Sequence, residues 1–127
     1  MRKQQNGQAL IELALVLPII LIIVMGIVEF GRIFDTHLIL LNASREGARI
    51  SAVGGRDADI QEGVISVTPT LDPVRLNISI EPEEDLRQRG IQTRVGVSYN
   101  LEIICPVIDV VLPNPFEITA QTTMRVE

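Results

Sequence analysis

The sequence predicts an α+β protein: a long N-terminal transmembrane helix continuing into a small extracytoplasmic domain with a short second helix and an antiparallel sheet of three or more strands. Three observations carry this expectation. Residues 9–28 are an almost unbroken run of Leu, Ile, Val and Met. Apolar residues then keep helical spacing well past the run. In the second half, three stretches alternate apolar and polar residues, the period of a strand with one buried face.

The first helix follows from its composition. At a rise of ~1.5 Å per residue, the apolar run is long enough to cross the ~30 Å hydrocarbon core of a bilayer. Glu12 lies within it, about one turn from its start. The favourable transfer of many aliphatic side chains, roughly −0.3 to −0.6 kcal/mol each, outweighs an acid that costs about +2.5 to +3.5 kcal/mol even at the centre of a span. Phe30, Ile33, Phe34, Leu38 and Leu41 continue the spacing, while Glu29, Arg32 and Asp35 form i,i+3 pairs on another side. A helix over residues 9–53 would be ~65 Å long, over twice the bilayer core, with Gly54-Gly55 as its stop. Pro18 and Gly26 lie inside it and either kink it or are tolerated. Near its end, small residues fall in two rows at four-residue spacing, Ala43-Gly47-Ser51 and Ser44-Ala48-Ala52. Such a face admits close approach of another backbone, and the protein's own sheet is the nearest candidate. Arg45, Glu46 and Arg49 form a solvated rim beside it.

Residues 57–67 read as the second helix, with Ile60, Val64 and Val67 on one side and Thr68-Pro69 ending it. The strands follow over residues 74–81, 94–103 and 116–127, the first two joined by the charged loop EPEEDLRQRG. A sheet with one wet face needs a cover for its dry one, and the small-residue face of the long helix is available. Between the last two strands, CPVIDVVLPNP has no clear period; it either folds back to close the core or stands exposed as an interaction surface.

Charge and composition exclude several classes. A formal charge of −5 over 127 residues provides no basic surface for nucleic acid. The single cysteine, Cys105, cannot form an intrachain disulfide and reads as a small buried apolar residue. His37, the only histidine, has no Cys or His companion for a metal. There is no phosphate-binding glycine loop and no nucleophile with a base, so the expectation is a non-enzymatic protein without cofactor, metal or small-molecule substrate.

The N-terminus carries the most specific signal. Arg2 and Lys3 precede the span with no acid, so the positive-inside tendency puts the N-terminus in the cytoplasm and the body of the chain on the far side. The apolar run is longer than a signal peptide's, and the residues after it are too bulky and charged for a small-x-small cleavage site. A polar, basic leader, MRKQQNG, instead meets the apolar run at Gly7. This basic leader ending in Gly, with Glu12 shortly after it at the head of a hydrophobic helix, resembles the processing site of type IV pilins and pseudopilins. The wider stretch GQALIELALVLPIILIIVMGIVEFGRIF followed by LNASREGARISA resembles the TadE-like family, pseudopilins of the tight-adherence (Flp) pilus system. One departure is Leu13, where such sites often carry an aromatic residue.

That resemblance implies a pilin-like fold and a division into a cytoplasmic leader (1–7), a transmembrane and stalk helix (8–55) and an extracytoplasmic domain (56–127). It implies cleavage between Gly7 and Gln8 by a prepilin peptidase. The partners it implies are other pilin or pseudopilin subunits, the inner-membrane assembly platform and membrane lipid. The role it implies is structural, in pilus assembly, adhesion or secretion, either in a surface filament or in the bacterial inner membrane. Glu12 then has a physical task. Cutting at Gly7 leaves an ammonium on Gln8, and in an apolar assembly an ammonium and a carboxylate from neighbouring subunits neutralise each other and set axial register. The alternative is a permanent single-span anchor presenting an extracytoplasmic binding domain, with Glu12 an interfacial acid whose carboxylate reaches the headgroups. A third possibility, Glu12 as an intramembrane proton carrier, lacks a second polar residue before Glu29.

Overall fold

The computed structural model describes residues 2–127. Met1 of the expected leader, and the side chains of Arg2 and Lys3 on which the expected orientation rests, lie outside that description. The order of elements is α1 (Arg2–Ala52), α2 (Asp57–Ser66), β1 (Leu76–Glu81), β2 (Gln92–Leu101), α3 (Ile108–Val111) and β3 (Phe116–Arg125). This is the expected α+β fold: a long apolar helix, a short second helix and one open antiparallel sheet of order β1-β2-β3.

Helix α1 is a single element of 51 residues, about 75 Å at the usual rise. It begins earlier than the apolar spacing predicts, because the straight-chain residues of RKQQ are good helix formers. It runs on through Pro18. It ends where the two glycines predict: Gly54 adopts φ +87, the Gly55 N–H donates to Ile50 O at 2.9 Å and the Gly54 N–H to Ser51 O at 3.1 Å. These are the two bonds of a Schellman stop, and glycine suits the left-handed residue between them. The chain then enters α2, where the Asp59 carboxylate accepts the Arg56 backbone N–H at 3.0 Å. At the far end of α2, the buried Thr68 hydroxyl donates to Val64 O at 3.1 Å.

The strands occupy the predicted regions with shifted ends, each for a visible reason. Asp72 accepts the Val74 N–H and draws Pro73–Arg75 into a 3-10 turn, so β1 starts at Leu76 and Val74 stands exposed. Ile103 leaves β2 because the Asn114 side-chain amide takes both of its backbone groups, accepting its N–H at 3.1 Å and donating to its C=O at 3.4 Å. Central β2 pairs with both neighbours, placing Val97 opposite Ile78 and Ala120. The core lies between the sheet and the second half of α1, and contains Leu40, Ala43, Ala48, Ile60, Val64, Val95, Val97, Leu101 and Ile118. Beyond β3, the Glu127 N–H donates to Ala52 O at 3.0 Å, joining the end of the chain to the end of α1.

Candidate processing and assembly site

The first half of α1 is bare. Between residues 9 and 28 every side chain except Gly26 is exposed, and the most apolar window of the helix has a mean hydropathy of 2.9 with none of it buried. A core helix of a water-soluble domain would be covered. This one fits a single-pass membrane protein by length and composition. Gly7 and Gln8 lie at its start, in the same helix, and Gly7 has nothing within 4 Å of where a Cβ would stand. Glu12 is exposed one turn further on, and the Gln8 side-chain amide donates to its Oε1 at 3.4 Å.

The second half of α1 is the wall of the domain. Ala43, Ser44, Gly47, Ala48, Ser51 and Ala52 are all buried. A Cβ on Gly47 would stand 2.8 Å from Val95 Cγ1 and 3.0 Å from Val64 Cγ2, so the missing side chain is what lets β2 and α2 close on the helix. Two hydroxyl pairs cross the same seam: Ser51 with Thr93 at 2.6 Å and Ser44 with Thr122 at 2.7 Å. They give the buried Ser51 hydroxyl its partner and add to the bonds that Ser44 makes to Leu41 O and Thr93 to Glu81 O. Beside the seam, Arg49 donates to both carboxylate oxygens of Glu46, at 3.0 and 2.6 Å. That pair holds the Glu46 carboxyl below its ordinary value, through the hydrogen bond first and charge second, and raises Arg49.

Between the bare and covered halves sits a residue that the sequence placed only in an i,i+3 pair with Arg32. Glu29 is only 2% exposed. One carboxylate oxygen, Oε2, accepts the backbone N–H groups of both Ile104 and Cys105 at 3.2 Å. The other, Oε1, accepts from Arg32 Nη1 at 2.8 Å, and the same nitrogen lies 3.4 Å from the carbonyl of Glu102. Glu29 and Arg32 therefore fasten the start of the 102–115 loop to the helix where the apolar run ends. The expected second pair of that series does not form: among the described residues Arg32 bridges to Glu29 and not to Asp35. An acid directly after an apolar span was the available signal, but its partners are backbone amides 75 and 76 residues away, which no residue type announces.

The loop itself does not fold back to close the core. Cys105 and Ile103 are buried, but Ile104, Val110 and Val111 are 67, 86 and 79% exposed.

Among the described residues no group of three or more His, Cys, Asp or Glu is placed to hold a metal. A cavity of about 680 Å³ is an open hollow lined by Glu81, Pro82, Glu83, Leu86, Arg94 and Thr123 among others.

Fold and surfaces together fit a single-pass membrane protein with an α+β domain packed on the second half of its long helix. Residues 7–49 match the family described as TadE-like protein. The match starts at Gly7, covers about a third of the chain and ends inside α1, so it takes in the bare half and the first two residues of each small-residue row but not the sheet. No curated protein and no solved structure matches the chain. A TadE-like segment points to the minor-pilin-like proteins associated with the tight-adherence pilus, a structural family and not an enzyme family.

Proposed function

We propose that this chain is a minor pilin or pseudopilin of a tight-adherence pilus system. It is inserted with its N-terminus in the cytoplasm, cut by a prepilin peptidase between Gly7 and Gln8, and packed through α1 against other pilin subunits and the inner-membrane assembly platform. In this reading residues 1–7 are the leader, 8–55 the span and stalk, and 56–127 the extracytoplasmic domain. The observation that carries it is the coincidence of three features at one point: the TadE-like match begins at Gly7, the apolar helix follows without a break, and Glu12 stands exposed one turn inside it. An exposed acid in an apolar helix wall lowers its energy by meeting a cation, and the ammonium left on Gln8 of a neighbouring subunit is one. A signal-peptide cut after the apolar run would sever α1 just below the residues that form the core. The proposal therefore keeps the helix whole.

N-terminal sequencing of the protein from a host with an active prepilin peptidase tests the reading. A mature chain starting at Gln8 is expected, with Gly7→Leu blocking both the cut and assembly. An intact leader, together with normal assembly of Gly7→Leu, refutes it. The permanent-anchor reading draws on the Gln8 contact, which gives Glu12 a partner within its own chain; it requires Glu12→Ala to leave assembly unchanged.

A further inference from the structure

We propose that the loop between β2 and β3 is a second membrane contact, lying in the outer interface of the bilayer beside the helix that anchors the chain. Its height is set by the helix. Glu29 holds the Ile104 and Cys105 amides, and Ile108 Cδ1 lies 3.9 Å from the Cβ position of Gly26. Gly26 is two residues, about 3 Å along the axis, inside the end of the apolar run at Val28. The loop thus descends alongside the run to the depth where hydrocarbon begins. A cleft of about 160 Å³ between them is lined by Val24, Met25, Val28, Ile104 and Cys105 with Glu29 and Arg32 at its rim.

The shape is held from both ends. The Asn114 amide closes the neck on Ile103 and Glu29 ties the start, so Ile104, Val107, Val110 and Val111 are displayed with little freedom left to bury one another. Each is at least 44% exposed. In water this is an unfavourable display, because apolar side chains gain free energy by leaving water. Lipid is the occupant that the geometry favours, because the patch is continuous with the exposed helix surface at Val24, Met25 and Val28, which the spanning reading already places against lipid. Asp109, exposed on the same short helix, and the half-buried Arg32 set the limit of depth: their charges stay at the headgroups while the valines enter the acyl boundary, the usual position of an interfacial amphipathic element. The inference rests on α1 spanning the bilayer and adds a contact that the span alone does not require.

The test uses the full chain in phosphatidylethanolamine–phosphatidylglycerol vesicles, with an environment-sensitive nitrobenzoxadiazole label on Val110→Cys. Cys105 is buried and stays in place, and the labelled parent chain sets the background. Val111→Cys is the second site, in case the first perturbs the loop. Labels on Ile19→Cys in the span and Asp85→Cys on the outer domain are the references. Lipids spin-labelled near the headgroup end of the acyl chain should quench residue 110 by about twofold or more, the response of a shallow interfacial group, and should leave residue 85 unquenched, while lipids spin-labelled near the chain terminus should quench residue 19. Quenching at 19 with none at 110 or 111 overturns the proposal alone. Absence of quenching at 19 overturns the spanning reading and the proposal with it. A blue-shifted but unquenched label at 110 means that protein covers the loop, which also overturns the proposal.

Discussion

Replacing Glu29 with alanine tests whether one side chain holds the outer domain's lowest loop to the helix. The substitution removes the acceptor that the Ile104 and Cys105 amides share, both at 3.2 Å, while Arg32 keeps the Glu102 carbonyl at 3.4 Å. A buried donor stripped of its partner costs roughly 1–3 kcal/mol, and bonds to a charged acceptor stand at the upper end of the scale. For two amides, one of them in the buried Cys105, the sum is about 2–4 kcal/mol, which makes local opening on the order of 30- to 1000-fold more frequent. Amide hydrogen exchange in lipid nanodiscs reads this directly. Exchange at Ile104 and Cys105 should accelerate by that factor in Glu29→Ala, while amides in the core segment around Leu40 stay as they were. Glu29→Gln keeps an oxygen but not the charge, and should accelerate exchange about tenfold. Exchange at both amides within about twofold of the parent in Glu29→Ala refutes the fastening role, since a lost bond of even 1 kcal/mol exceeds that change.

Gly47→Ala gains helix propensity of about 1 kcal/mol but places a methyl 2.8 Å from Val95 Cγ1; overpacking at ~1–3 kcal/mol should prevail and lower the thermal midpoint in detergent. A raised midpoint would show that the seam has slack. Gly54→Ala puts a Cβ on a residue at φ +87 and should cost about 1 kcal/mol in the same assay, at the end of α1 and without effect on vesicle insertion. The Glu46 carboxyl, held below its ordinary value of 4.5 by Arg49, contributes stability that is present above that value and lost as pH falls through the lowered one. Glu46→Gln should therefore flatten the acid edge of the stability profile slightly and leave the neutral range nearly unchanged, as for other exposed pairs.

The elements that sequence revealed are those whose pattern repeats over many residues. Strand alternation and the long apolar run needed no partner to be visible, and the rows Ala43-Gly47-Ser51 and Ser44-Ala48-Ala52 stood out because a helix brings every fourth residue to one face. Element ends were less legible because single side chains decide them: Asp72 delays β1, and Asn114 removes Ile103 from β2. The N-terminal extension of α1 showed only in propensity, since polar RKQQ has no apolar period. Glu29 was the largest omission. Its spacing to Arg32 is real, but that local pair concealed a longer-range task, because backbone amides have no letter in the sequence. The loop of residues 102–115 was ambiguous for the same reason, its path being set by that contact and not by its own period.

Because α1 runs unbroken from the segment bearing Glu12 into the wall packed on the sheet, the head and the foot of the molecule share one screw axis. Each residue inserted between them would raise the head by about 1.5 Å and turn it by about 100° relative to the acid. A neighbour gripping the foot therefore also dictates which way the head faces, and recognition at either end constrains the other through plain geometry.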